Sequence, residues 1–252
     1  MLAIIGGSGL SQLSNLDVVS REIVRTPYGE PSSVLTFGRL GEQEAVFLAR
    51  HGHRHTIPPH KVNYRANIWA LREAGASHIV SVASVGGILT GLMPGDLIIA
   101  HQVIDYTWGR ASTFFEDEGN PVTHIDFTEP YDARLRESLL EAAQAVEITA
   151  RDGGVYAVTQ GPRLETAAEI DRLERDGAEI VGMTGMPEAA LARELEIPYA
   201  VVNLVANHAA GRNDSRQGIV FDRLEAVLLE GMEKVREILA RVSLPKEESA
   251  NV

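Results

Sequence analysis

Between Arg50 and Lys61 the chain places four histidines (His51, His53, His55 and His60) and three cations (Arg50, Arg54 and Lys61) within twelve residues. His51, His53 and His55 alternate, so in an extended segment they would share one face. Three chemistries suit such a run: a metal site, a solvated basic loop or an anion site. A metal reading is weak, because H-x-H-x-H here lacks matching carboxylates or cysteines. Over the whole chain, 23 Lys and Arg stand against 35 Asp and Glu, a formal net charge of −12. In so acidic a protein this local concentration of cations is the place to hold an anion. The planar guanidinium of Arg50 suits a bidentate grip on an oxyanion.

A second candidate is Gly6-Gly7-Ser8-Gly9, which follows a short apolar run. It does not complete the dinucleotide fingerprint G-x-G-x-x-G, since Gln12 stands where the last glycine belongs. No acid closes a βαβ unit about 20 residues later either. Glycines let successive backbone N–H groups converge and the Ser8 hydroxyl adds a donor, so the turn can form an anion cup. Taken alone it is equally a plain tight turn.

The elements that must position these residues alternate between strand and helix. Strands are expected at Leu2–Ile5, Val34–Phe37, Ala45–Ala49, Ile79–Ala83, Leu97–Ala100, Val155–Thr159, Ile180–Met183 and Tyr199–Val205. Helices are expected at about 61–74, 132–146, 166–176, from Pro187 to near Leu195, and about 222–242. Pro187 suits a first helical turn. This alternation predicts an α/β fold, one domain over residues 1–245 with helices on the faces of its sheet, and a frayed tail over 246–252.

Composition narrows the function. The acidic balance argues against nucleic acid and anionic membranes, both of which call for a basic face. Zero cysteines exclude disulfides, thiolate nucleophiles and Cys-based zinc sites and fit a reducing compartment. The apolar stretch from Ile79 to Ala100 is interrupted by Pro94, Gly95 and Asp96, which is unlike a transmembrane helix. The start of the chain lacks the basic region of a signal peptide. A cytoplasmic protein is expected.

The run Arg50-His51-Gly52, His55-Thr56-Ile57-Pro58 and Lys61-Val62-Asn63-Tyr64-Arg65-Ala66-Asn67-Ile68-Trp69-Ala70-Leu71 closely resembles the methylthioadenosine phosphorylases of the trimeric purine nucleoside phosphorylase superfamily. Gly6-Gly7-Ser8-Gly9-Leu10, Pro94-Gly95-Asp96, Gly161-Pro162-Arg163, Met183-Thr184-Gly185-Met186-Pro187-Glu188 and Asp222-Arg223 match in the same order. The resemblance implies a twisted, partly closed mixed sheet flanked by helices, three subunits, active sites near subunit boundaries, inorganic phosphate as co-substrate, and neither metal nor cofactor. It assigns phosphate to Ser8, Arg50, His51, Ser84 and Thr184, with Met183 beneath the ribose. Ala83 stands where the family usually has a threonine, so one hydroxyl contact is missing. For Met183 and Thr184 the structural alternatives are core packing and a helix cap.

The base pocket departs from the adenine-cleaving members. Where those carry two aspartates, this chain has Asn207 and Ala209. An ionised carboxylate only accepts, whereas a carboxamide can donate to O6 and accept from a protonating N7. Asn207 therefore looks like the asparagine of 6-oxopurine phosphorylases. Glu165 sits where those relatives have a base-binding glutamate, suited to the N1–H of hypoxanthine, with Leu164 beside it; alone it is also a favourable acid in a helix's first turn. At the sugar end, Phe221 and Leu224 are apolar, as in the methylthio-nucleoside enzymes. His124 matches a residue that reaches this end from a neighbouring subunit. The combination predicts phosphorolysis of 5′-methylthioinosine. Methylthioadenosine or inosine cleavage, or a non-catalytic nucleoside sensor, are the alternatives.

Overall fold

The computed structural model describes residues 1–116, 119 and 121–245, with the side chains of Phe221 and Asp222 outside that description; so is the segment 246–252, expected as a frayed tail. Leu2–Gly6 (β1) is buried along its whole length, the mark of a strand covered on both faces. There follow β2 (Asp17–Glu22), β3 (Leu35–Leu40), β4 (Gln43–Ala49), α1 (Tyr64–Glu73), β5 (His78–Gly87), β6 (Leu97–Ile99) and β7 (Gln102–Asp105). The rest are α2 (Ala133–Ala145), β8 (Ala150–Asp152), β9 (Val155–Val158), α3 (Ala167–Arg175), β10 (Ile180–Gly182), α4 (Gly185–Glu194), β11 (Tyr199–His208) and α5 (Phe221–Arg241).

The strands form one mixed sheet of eleven, with β2-β3-β4-β1-β5-β10-β9-β7 in order and β11 joining β5 to β6. Its centre is parallel: β1 pairs with β4 and β5, and β5 pairs with β11. Alternate side chains face opposite layers. Ala3, Ile5, Ile79 and Val201 pack with Ile68 and Leu71 of α1 and Leu191 of α4. Leu2, Ile4, Val80 and Val202 pack on the other face with Leu135 and Leu139 of α2 and Val235 and Ile238 of α5. The fold is thus α/β, with helices on both faces.

Local chemistry sets the boundaries. Helix α1 begins at Tyr64 rather than 61, because the Asn63 side chain accepts from Ala66 N and Pro59–Lys61 forms a separate 3-10 turn. Asp132 caps α2, and Thr166 with Glu169 forms a reciprocal capping box on α3. β5 and β11 run on to Gly87 and His208, past the ends expected for them. β2, β7 and β8 are short and carry few fully buried side chains. They gave no hydrophobic period.

Candidate active site

β1, β4, β5 and β11 run parallel, so their carboxyl ends open on the same side, where open α/β sheets take their ligands. A cavity of about 930 Å³ lies there, within the usual range for small-molecule sites. Ser8 reaches it from the turn after β1, Arg50 and His51 from the end of β4, Ser84 from β5 and Asn207 from β11. Glu165, Met183 and Thr184 complete the facing wall. Thus residues far apart in sequence line one space.

Arg50 differs from expectation. Its bidentate fork grips Glu188 of α4, with Nε donating to Oε1 at 2.8 Å and Nη2 to Oε2 at 3.0 Å. Nη2 also donates to Ser81 Oγ and Nη1 to Val82 O, so four of the five guanidinium N–H groups are committed within the protein. Glu188 further accepts from Ser81 Oγ at 2.7 Å and Tyr199 OH at 2.8 Å. Both partners are fully buried. A buried guanidinium needs a carboxylate held this closely, which is why the fork turns inward. Burial opposes the charge on Arg50, but the field and hydrogen bonds of Glu188 raise its pKa overall. Arg50 therefore offers the cavity one remaining N–H, on Nη1, rather than a two-point clamp. Nη1 lies against the glycine turn: a Cβ on Gly7 would fall 2.8 Å from it and 2.6 Å from Val82 O.

The histidines do not share one face. The segment folds as successive turns, with His55 at φ 52°, and His53 is exposed. The rings of His51 and His55 pack at 4.6 Å between centroids. His51 Nδ1 lies 2.8 Å from Ile57 O; since a carbonyl only accepts, Nδ1 carries the hydrogen. Burial, and then Arg50, lower the His51 pKa to about 4. His55, which the sequence offered only as one of the alternating histidines and not among the phosphate residues, lines the cavity with Nε2 3.4 Å from Ser8 Oγ.

Thr184 occupies the N-cap position of α4 without making a side-chain cap bond, so the cap role does not account for its hydroxyl. Met183 is half-buried and lines the cavity, not the core. Ala83 lines it too.

The wall that carries Glu165 and Asn207 is built by hydrogen bonds the sequence did not reveal. Thr159 Oγ1 donates to Glu165 Oε1 at 2.6 Å, which fixes the carboxylate and leaves Oε2 unengaged by this bond. A bulge between Val205 and Asn207 in the β5–β11 ladder re-aims the end of β11. Asn207 Nδ2 donates to His208 O at 2.6 Å, which uses one amide hydrogen. The other hydrogen and Oδ1 remain for a ligand. Leu164 lines the same wall and is 41% exposed. Arg163, at its edge, is bound by Glu169 at 2.7 and 2.8 Å.

After β11 the segment 209–220 covers this end. His208 Nδ1 meets Asp214 Oδ1 at 2.6 Å, and Arg212 meets Asp171 and Glu174 at 2.9 and 2.8 Å. Ile219 and Leu224 present apolar surface to the cavity. The Phe221 side chain lies outside the described residues. His124 is exposed and does not line the cavity of its own chain.

The comparisons agree with this architecture. The phosphorylase superfamily profile matches residues 1–243. A Pseudomonas syringae pv. tomato protein named probable S-methyl-5'-thioinosine phosphorylase is 55% identical over 240 residues, 95% of this chain and 97% of that one. The 6-oxopurine nucleoside phosphorylase of Pyrococcus furiosus is 44% identical, with 98% of this chain and 94% of its own covered. The structure of methylthioadenosine phosphorylase from Schistosoma mansoni in complex with adenine superposes with a TM-score of 0.91 at 33% identity, over 95% of this chain and 89% of that one. The chain belongs to the phosphorylase superfamily. Within that class it is an enzyme of the nucleoside phosphorylase type.

Proposed function

We propose that the enzyme cleaves S-methyl-5'-thioinosine with inorganic phosphate, giving hypoxanthine and 5-methylthioribose 1-phosphate. The observation that carries this reading is the pairing of Asn207 and Glu165 in one cavity that Ile219 and Leu224 make apolar. Glu165, held by Thr159, accepts the N1–H of a 6-oxopurine. Asn207 donates to O6 and receives N7–H as negative charge builds on the leaving base. An adenine would set its N1 lone pair against the Glu165 carboxylate, and such an unpaired buried group weakens binding. A 5′-hydroxyl against Ile219 and Leu224 would go unsatisfied, whereas a methylthio group is covered.

In this reading phosphate sits among Ser8, His51, Ser84, Thr184 and the remaining N–H of Arg50, and attacks C1′ as the sugar becomes oxocarbenium-like above Met183. Positioning and preorganised donors lower the barrier. The motif resemblance and the exposed position of His124 support a homotrimer in which His124 from a neighbouring subunit completes the 5′ end. The acidic, cysteine-free composition supports a cytoplasmic setting. The names of the Pseudomonas and Pyrococcus relatives support the oxopurine base. Phosphorus NMR of a reaction with methylthioinosine tests the chemistry. A new sugar phosphate ester is expected; free methylthioribose formed without phosphate would make the enzyme a hydrolase.

A further inference from the structure

The cavity has an unbalanced charge ledger, and this inference rests on the phosphorolysis reading. Two arginines line it, and each is already neutralised by a carboxylate: Arg50 by Glu188 and Arg163 by Glu169. Glu165 adds a negative charge to the same walls. Ser8, Ser84 and Thr184 offer hydroxyls without net charge. A hydrogenphosphate dianion entering here meets no uncompensated cation among the described lining residues. Desolvating a dianion without a counter-charge is strongly unfavourable.

Two lining groups can become cations by taking up a proton, His51 and His55. Nδ1 of His51 is tied to Ile57 O, and its ring lies against Arg50 and under greater burial. His55 is exposed where His51 is buried, sits on a turn, and holds Nε2 3.4 Å from Ser8 Oγ beside the glycine cup. The groups around it are Arg50 and His51 on its own loop and Ser8 after β1, with Arg163 and Glu165 elsewhere on the cavity wall and Glu188 of α4 behind Arg50.

We propose that His55 takes up a proton from solvent as phosphate enters and supplies the positive charge that balances the dianion. With the site empty, burial and Arg50 hold His55 below its ordinary pKa; a dianion reverses that balance. Once protonated, both ring nitrogens donate, one of them toward Ser8 Oγ or a phosphate oxygen. The sugar phosphate product is also an anion, so the proton leaves with it. His55 is thereby a phosphate-binding residue whose charge appears only when there is charge to meet.

Calorimetric titration of the enzyme with inorganic phosphate at pH 8, in two buffers of different ionisation enthalpy, reads the proton directly. The wild type should show net uptake. His55→Gln keeps a donor but cannot titrate; it should lose the uptake and raise the KM for phosphate on the order of tenfold, with the nucleoside KM little changed. In the wild type the phosphate KM should rise with pH across this range, and that slope should vanish in the variant. Equal heats in both buffers, or uptake that persists in His55→Gln, would overturn the assignment while phosphate-dependent cleavage still stood. Absence of phosphate-dependent cleavage would overturn the reading beneath it.

Discussion

Arg50 and Glu188 are 138 residues apart in sequence, yet they meet as a two-point ion pair at 2.8 and 3.0 Å with neither exposed. The pair holds the end of β4 to α4, and Ser8 of the glycine turn and Thr184 line the same cavity. Arg50 N also donates to Gly6 O at 3.0 Å, tying the ends of β1 and β4 together. Charge here orders the site before it greets a ligand.

Breaking that pair from one side should be costly. Glu188→Gln removes the carboxylate and leaves a buried guanidinium uncompensated, a loss of roughly 3–5 kcal/mol. Urea denaturation of wild type and variant measures it. A variant as stable as the wild type would show that the pair does not organise this region.

Thr159→Val tests the base wall. The substitution keeps the shape and removes the hydroxyl that fixes Glu165. Loss of one hydrogen bond to a charged group predicts kcat/KM for the oxopurine nucleoside down about tenfold or slightly more, with the melting temperature nearly unchanged. Steady-state kinetics on methylthioinosine gives the answer. Unaltered kinetics would mean that Glu165 needs no such restraint.

Asn207→Ala separates leaving-group stabilisation from binding. If Asn207 meets charge that develops on N7 and O6, kcat should fall by roughly two to three orders of magnitude while KM moves only a few-fold. Equal losses in binding and turnover would contradict the role.

Acid should weaken the fold through His51. Its pKa in the folded protein is about 4, against an ordinary value of 6.5. The unfolded chain therefore binds more protons between these values, and stability falls as pH drops from about 6.5 toward 4. The contribution is about 1–3 kcal/mol, discounted from the full shift because the ring is partly accessible. Above pH 7 it is fully present. His51→Asn should flatten this limb of a stability–pH curve; an unchanged limb would place the acid sensitivity elsewhere.

The sequence carried the parallel centre of the sheet because its strands are largely continuous apolar runs. β2 was not legible, since Val18 and Val19 lie exposed among charges and its pairing with β3 depends on a long-range ladder. Ser8, Arg50, Asn207 and Glu165 could be named from motifs and chemical type. Their partners could not, because Thr159 and Ser81 are ordinary strand residues until the fold brings a carboxylate to them. Glu188 did leave a signal: an acid amid Met186, Pro187, Ala189 and Leu191 must be buried, and a buried acid requires a cation. That signal also redirects the fork of Arg50, which residue type alone assigned to the oxyanion.

The central claim, that Asn207 and Glu165 select a 6-oxopurine in an apolar 5′ pocket, is tested most directly by the ratio of kcat/KM for methylthioinosine to that for methylthioadenosine, at saturating phosphate. The account predicts a preference for methylthioinosine of roughly a hundredfold or more. Equal efficiencies, or a preference for methylthioadenosine, would contradict it.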